Sequence, residues 1–393
     1  MDLQLISAII FSVCLAFFLV WKRKNLAVQK IFFPVLYFVM YRTKIGLKLM
    51  DTISKKYGKL LKYLGYIGIF IGFCGMVFLC FTLSKNLVIL LTKPEAASAV
   101  GLVLPFKVKG AFFVPFFYWI ISIFVLAVVH EFSHGVVARY YGLKIKSSGL
   151  AFLCLVLPVI PAAFVEPDEK KMAKLSTKKQ LSIFAAGPFS NIILAFIVLL
   201  LFNFTLAPFL QSMMYEDGIK ITGYIEDKTY PAQEAGIEIG EVIKEINGAE
   251  FKTLDDFSAL IQNEKPGDQI QLTTNIKTYD ITLTENPEDE KKAYLGVYLI
   301  QNYEKKDWAR KGIAFYISVL TTWLGGLFYW LFVLNLGIGL FNLIPIGPID
   351  GGRMLHAVLL KYFSKDRAQK IWKYTGTFFF LLVLTNVMFG FIR

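Results

Sequence analysis

Cysteine is scarce in this chain. The four in 393 residues, Cys14, Cys74, Cys80 and Cys154, each sit in an apolar stretch and form no C-x-x-C pair. The four read as small buried apolar side chains in preference to zinc ligands, and they fix no redox compartment. Charge is scarce too, at 18% of residues against 56% hydrophobic and 16% aromatic. No ordinary water-soluble domain has that composition. Acidic residues are outnumbered 29 to 42 by basic ones, for a formal charge of +13. The excess falls in three groups beside apolar runs, within 22–62, 170–179 and 361–373. Basic residues placed so mark the cytoplasmic ends of membrane spans, and no nucleic-acid partner is expected. An internal repeat of the kind that builds many transporters is also missing. Histidine is rarest of all, with only three, and two of them lie four residues apart.

What the chain does have is long apolar runs. A helix crosses a bilayer in about 20 residues. About six crossings are expected, at 6–21, 63–83, 112–138, 181–209, within 312–344, and at 374–391. Residues 312–344 are too long for one straight crossing, since about 33 residues rising about 1.5 Å each span roughly 50 Å. Gly325-Gly326, Gly337 and Gly339 offer places to bend. The basic, aromatic segment 31–50 reads as an interfacial helix. Residues 149–165 are apolar but interrupted by Pro158 and Pro161. They read as a re-entrant β-hairpin whose edge could pair with an extended peptide. Residues 215–303 differ: polar, acidic and alternating, as in Gln269-Ile270-Gln271-Leu272-Thr273. Asn247-Gly248 marks a tight turn between strands there. The expected fold is a multi-span α-helical membrane protein carrying one small β-rich soluble insert. Its expected parts are 1–62 (first span and basic segment), 63–210 (first half of the membrane core), 215–303 (the insert) and 308–393 (second half).

The residues with chemistry are His130-Glu131-Phe132-Ser133-His134, at the end of the apolar run 112–129. Positions i and i+4 share a helix face, so both imidazoles can grip one metal ion. Glu131 is then placed to take a proton from an attacking water. Ionisable groups are costly at membrane depth, and three together imply a function. A catalytic zinc takes three protein ligands, and Asp350, at the foot of an apolar span in Pro345-Ile346-Gly347-Pro348-Ile349-Asp350-Gly351-Gly352, is the best third. Asn342 reads equally as a helix cap and as a catalytic polar group. Asn191 reads as a packing residue beside Gly187, and His356 as an interfacial histidine.

These motifs resemble the site-2 protease family of intramembrane zinc metalloproteases (peptidase M50-like). The resemblance rests on His130 to His134, on Gly187-Pro188-Phe189-Ser190-Asn191, and on the Asn-x-x-Pro-x-x-x-x-Asp-Gly run from Asn342. Ile349 stands where the family often has Leu, and residues 31–62 match no family element. The insert, with Gly240-Glu241-Val242-Ile243 and Pro266-Gly267-Asp268, resembles a PDZ domain of the protease-associated kind. The resemblance implies one Zn2+ per chain held by His130, His134 and Asp350, with Glu131 as general base and Asn342 near the scissile carbonyl. It implies an endopeptidase of regulated intramembrane proteolysis, cutting single transmembrane segments of other proteins. The lipid bilayer and peptide ends at the PDZ-like domain are further expected partners. The plasma membrane is the expected location, and charge bias puts the active site near the cytoplasmic side and the insert outside. Two rivals are a non-proteolytic PDZ-bearing scaffold and a metal transporter.

Overall fold

The computed structural model describes residues 3–32, 36–93, 96–155, 157–225, 229–287 and 289–392. It divides into two compact units, Met1–Phe202 with Gly325–Arg393, and Asn203–Leu324.

The first unit opens with α1 (Leu3–Trp21), β1 (Leu26–Phe32), β2 (Leu36–Thr43), α2 (Leu47–Lys56) and α3 (Gly58–Thr92). A short parallel pair, β3 (Leu102–Leu104) and β4 (Ala111–Phe113), precedes α4 (Phe116–Tyr140). The hairpin β5 (Ile145–Leu155) and β6 (Leu157–Pro167) follows, then α5 (Glu169–Met172) and α6 (Thr177–Leu201). α3 keeps large apolar side chains exposed, Phe70 at 70% and Val77 at 68%. A helix apolar on all sides is stable only where lipid replaces water. Its inner side is lined instead by Gly65, Gly68, Gly72 and Gly75, against Ser182, Phe189, Met354 and Leu343 respectively. Small residues let membrane helices approach closely, which compensates for the missing hydrophobic drive.

Residues 31–50 do not form one interfacial helix. Leu26–Phe32 and Leu36–Thr43 are strands, joined to the hairpin in an antiparallel sheet ordered β1-β2-β5-β6. β2 is aromatic and β-branched through Tyr37-Phe38-Val39, a composition that favours strand. On one side it pairs with β1, and on the other its partners in β5 lie more than a hundred residues away, with Thr43 opposite Ser148. Helix starts only at Leu47, after Gly46 at a φ of 80°. α2 packs on α4 through Met50, which is 2% exposed and lies against Gly135. Asp51 and Arg139 pair at 3.1 Å across the same contact.

The second unit is the expected β-rich insert. A π-turn (Phe202–Leu206) and α7 (Ala207–Ser212) lead into β7 (Met214–Tyr224), followed by α8 (Pro231–Glu234), β8 (Val242–Ile246), β9 (Ala249–Glu250) and α9 (Leu254–Gln262). β10 (Gln269–Thr274), β11 (Thr278–Thr282), β12 (Thr284–Asn286), β13 (Asp289–Tyr294) and β14 (Val297–Lys305) complete it. The main sheet runs β11-β10-β8-β7-β14, with β9 on β8. Inward positions of the alternating strands, Ile219, Ile221, Ile243 and Leu272, close over Phe257 of α9 as the core. Thr253 and Asp256 cap α9 reciprocally. Asn247 and Gly248 both take positive φ in the β8–β9 turn.

The chain ends with α10 (Gly312–Phe341), α11 (Asp350–Tyr362) and α12 (Lys365–Ile392). α10 is one continuous helix, and two of its glycines serve close contact: Gly326 meets the Tyr118 hydroxyl and Gly339 meets Asn191. Among the described residues, five helical stretches are long and apolar enough to cross a membrane: Gly58–Thr92, Phe116–Tyr140, Thr177–Ser212, Gly312–Phe341 and Lys365–Ile392. Ile6–Trp21 is a shorter apolar one.

One carboxylate is buried in the insert. Burial alone would raise the Glu241 carboxyl, but the hydroxyls of Thr274 (2.5 Å) and Tyr279 (2.6 Å) and the Glu238 N–H (2.9 Å) donate to it. Together they hold it below its ordinary value of 4.5, while burial and the Glu241 charge push the Tyr279 hydroxyl up to about 12. A lowered carboxyl stabilises the fold above its unfolded value, and that contribution is lost as pH falls through the folded one. Amide-exchange protection factors in β8 and β10, taken against the intrinsic rate at each pH, should therefore fall on acidification below 4.5. In Glu241→Gln this acid-dependent part should vanish, with weaker protection at neutral pH. An unchanged acid limb in the variant would contradict the assignment.

Candidate metal centre

His130 and His134 lie one turn apart on α4, and Asp350 is the first residue of α11. The three come together: their ligand atoms lie within 4.8 Å of one another. His130 Nε2 is 3.0 Å and His134 Nε2 3.3 Å from Asp350 Oδ2, and the two Nε2 atoms are 3.1 Å apart. Zinc–ligand bonds of about 2.0–2.1 Å in a tetrahedron set donor separations of roughly 3.3 Å. The triangle fits one such ion, and its donor set of two imidazoles and one carboxylate suits catalytic zinc.

Local sequence explains why each donor sits where it does. Gly351 lies so close to the preceding turn that a Cβ would fall 2.2 Å from the Leu343 carbonyl oxygen. At Gly352 a Cβ would fall 2.0 Å from that of Ile346. The Gly-Gly pair thus lets α11 start folded back on α10, with the Gly351 N–H donating to the Asn342 carbonyl at 2.7 Å. Asp350 is 6% exposed and occupies the first turn of α11, where the helix dipole favours a negative charge.

α6 supplies the surroundings. A Cβ on Gly187 would lie 2.4 Å from His134 Nε2 and 2.6 Å from His130 Nε2, so only glycine leaves room beside the donor atoms. His134 Nδ1–H donates to the Ile183 carbonyl at 2.7 Å, which leaves the Nε2 lone pair facing the cluster. Asn191, fully buried, faces His130 Nδ1 at 3.2 Å. Pro188 interrupts the α6 backbone ladder, and Ser190 Oγ donates to the Gly187 carbonyl at 2.7 Å.

Glu131 lies outside the triangle and accepts at 3.1 Å from the Val165 N–H of β6, so its carboxylate is tied to the strand. Asn342 is not brought into the cluster: its side-chain amide donates to the Ile338 carbonyl of its own helix at 3.0 Å. His356 is also elsewhere, stacked on Trp372 at 4.8 Å. Sequence reasoning reads Asn191 as a packing residue and does not single out Ile183. The Gly-x-x-x-Asn spacing was visible, but which atom it faces depends on the rotation of α6.

With this geometry in place, the comparisons are informative. The model of peptidase family M50 matches residues 118–383. An uncharacterized protein of Methanocaldococcus jannaschii is 30% identical over 329 residues, covering 81% of this chain and 77% of that one. The probable protease eep of Enterococcus faecalis is 28% identical, covering 47% of this chain and 50% of its own. The regulator of sigma-W protease RasP of Bacillus subtilis is 24% identical, covering 49% and 53%. The chain thus spans about half the length of these two bacterial relatives. Among solved structures, the PDZ domain of an SdrC-like protein from Listeria monocytogenes is 25% identical, with a TM-score of 0.20, covering 22% of this chain and 90% of that one. The chain belongs to peptidase family M50. It is accordingly a membrane metalloprotease, and zinc is the metal its His–His–Asp triangle suits.

Gly187 offers a direct check of the site's packing. Gly187→Ala should lower zinc content roughly tenfold or more, as loss of close supporting contacts does in metal sites. Helical content by circular dichroism should stay unchanged. Full zinc occupancy in the variant would show that α6 does not press on the donor atoms as described.

Proposed function

We propose that the protein is an intramembrane endopeptidase, with His130, His134 and Asp350 holding one zinc ion and Glu131 acting as general base. The observation that carries this reading is the approach of three donor atoms to within 4.8 Å, with Glu131 next in sequence to one of them. When bound, zinc supplies Lewis-acid polarisation of the peptide carbonyl and brings the pKa of water towards about 7. Glu131 then takes the proton of the attacking water and returns it to the leaving amine nitrogen. The Val165 N–H holds one carboxylate oxygen of Glu131 and leaves the other for that transfer. Asn342, whose amide serves the backbone of α10, would have to turn from Ile338 to steady the oxyanion.

The substrate class follows from where the site sits. α4 carries it within an apolar helix long enough to cross a membrane, so the peptide to be cut is a transmembrane segment of another protein. A membrane helix hides its carbonyls and must unwind before attack. Among the described residues β6 pairs only with β5, so its other edge can take an unwound segment as an added strand. Glu131, bonded to Val165 of that strand, stands beside the place where such a segment would lie. The charge bias supports a site open to the cytoplasm, with the PDZ-like insert outside binding peptide ends and restricting access, and the plasma membrane is the proposed location. Domain limits of 1–62, 63–210, 215–303 and 308–393 accompany this reading.

The test is cleavage of a transmembrane reporter by purified protein, with zinc measured in parallel. Glu131→Gln should keep its zinc and lose roughly 10²–10⁴-fold in rate, the usual worth of a positioned base. Asp350→Ala should lose most of its zinc and its activity together. Wild-type cleavage by Glu131→Gln would remove the general-base role. A zinc-loaded wild type that cuts no transmembrane reporter would favour the scaffold or transporter reading.

A further inference from the structure

A ligating imidazole needs its metal-facing nitrogen unprotonated, and the proton on its other nitrogen needs an acceptor. His134 meets this condition through a backbone carbonyl, that of Ile183, at 2.7 Å. A carbonyl oxygen can only accept, so the tautomer of His134 is settled by main-chain geometry. His130 has no such carbonyl. Its Nδ1 has one hydrogen-bond partner among the described residues, the side chain of Asn191 at 3.2 Å.

Asn191 is 0% exposed, so no bulk water competes for that contact. Its amide nitrogen faces Nδ1, an arrangement that makes Nδ1 the acceptor and leaves the ring proton on Nε2. Nε2 then donates to Asp350 Oδ2 at 3.0 Å and has no lone pair for a metal. Asn191 Oδ1 meanwhile is buried with no hydrogen-bond partner among the described residues. A buried oxygen without a donor is destabilising. Turning the amide by 180° sacrifices no bond made by that oxygen. It places Oδ1 against Nδ1, moves the ring proton to Nδ1, and directs the Nε2 lone pair into the triangle.

We propose that Asn191 is a positioning residue of the metal centre: its side-chain oxygen accepts from His130 Nδ1–H and fixes the metal-binding tautomer. In this reading one helix, α6, sets both imidazoles, through Ile183 for His134 and Asn191 for His130, with Gly187 between them leaving room for the donors. The proposal rests on the metal-centre reading above and adds a role that the ligand triad alone does not contain.

The test uses the full-length protein in detergent and three variants, with zinc affinity measured by chelator competition. Asn191→Leu keeps bulk but has no acceptor, and should weaken zinc binding roughly 10- to 100-fold, as loss of such a partner does elsewhere. Asn191→Asp keeps an acceptor and loses the donor, and should stay within a few-fold of wild type. Selective ¹⁵N-histidine labelling gives a readout independent of activity, since the chain has only three histidines. Zinc-loaded wild type and Asn191→Asp should show His130 Nδ1 protonated, and Asn191→Leu should lose that hydrogen-bonded signal. Equal weakening in Asp and Leu, or wild-type affinity in Leu, would overturn the proposal. His130→Ala separates the two readings: wild-type zinc affinity there would overturn the metal centre itself.

Discussion

The close approach of α6 to α4 at Gly187 is the constraint on which the site depends. A single methyl group at that position would overlap the nitrogens of both imidazoles. Because it is absent, α6 lies near enough for the Ile183 carbonyl and the Asn191 amide to reach the far sides of the same two rings. The third donor arrives by the same physical means. Gly351 and Gly352 let the start of α11 fold against the carbonyls that end α10, and this brings the Asp350 carboxylate to the imidazoles. Two imidazoles and a carboxylate buried among apolar helices are expensive unless paired or bound to a metal. Glycine packing is what lets this unit meet that cost with one compact cluster.

A second layer joins the cluster to the surrounding sheet. Met50 of α2 fills the space left by Gly135, one residue past His134. Glu131 is bonded to Val165 of β6, and β6 belongs to a four-stranded sheet that begins with the N-terminal hairpin. The face of α4 away from α6 is therefore held by elements from residues 26–56 and from the β5–β6 hairpin. A shift of β6 would move the carboxylate of Glu131 directly. A peptide added to the edge of β6 would meet the proposed base where it accepts from the Val165 N–H.

Much of this was legible in the sequence, and what was not has a common cause. The i, i+4 spacing of His130 and His134 places two rings together on any helix, and an acid ringed by Pro and Gly at the foot of an apolar span drew attention to Asp350. The polar, alternating stretch gave the insert away, and Pro158 with Pro161 marked the hairpin. The segment 31–50 misled because its basic and aromatic residues suit an interfacial helix as well as a strand. Pairing with β1 and with β5, the latter more than a hundred residues on, makes it a strand. Asn191 escaped for a similar reason: its function depends on the rotation of α6 about its axis, which Gly187 sets through packing and which no local pattern encodes. In α10, Gly326 and Gly339 are contact points with Tyr118 and Asn191, a role set by neighbours distant in the chain.

The central claim is that His130, His134 and Asp350 together hold one zinc ion. Zinc K-edge X-ray absorption on the purified protein addresses it most directly. The account predicts one zinc per chain with only nitrogen and oxygen neighbours at about 2.0–2.1 Å, including an imidazole scattering pattern from two rings. A sulfur neighbour at about 2.3 Å, or a pattern lacking imidazole, would contradict it.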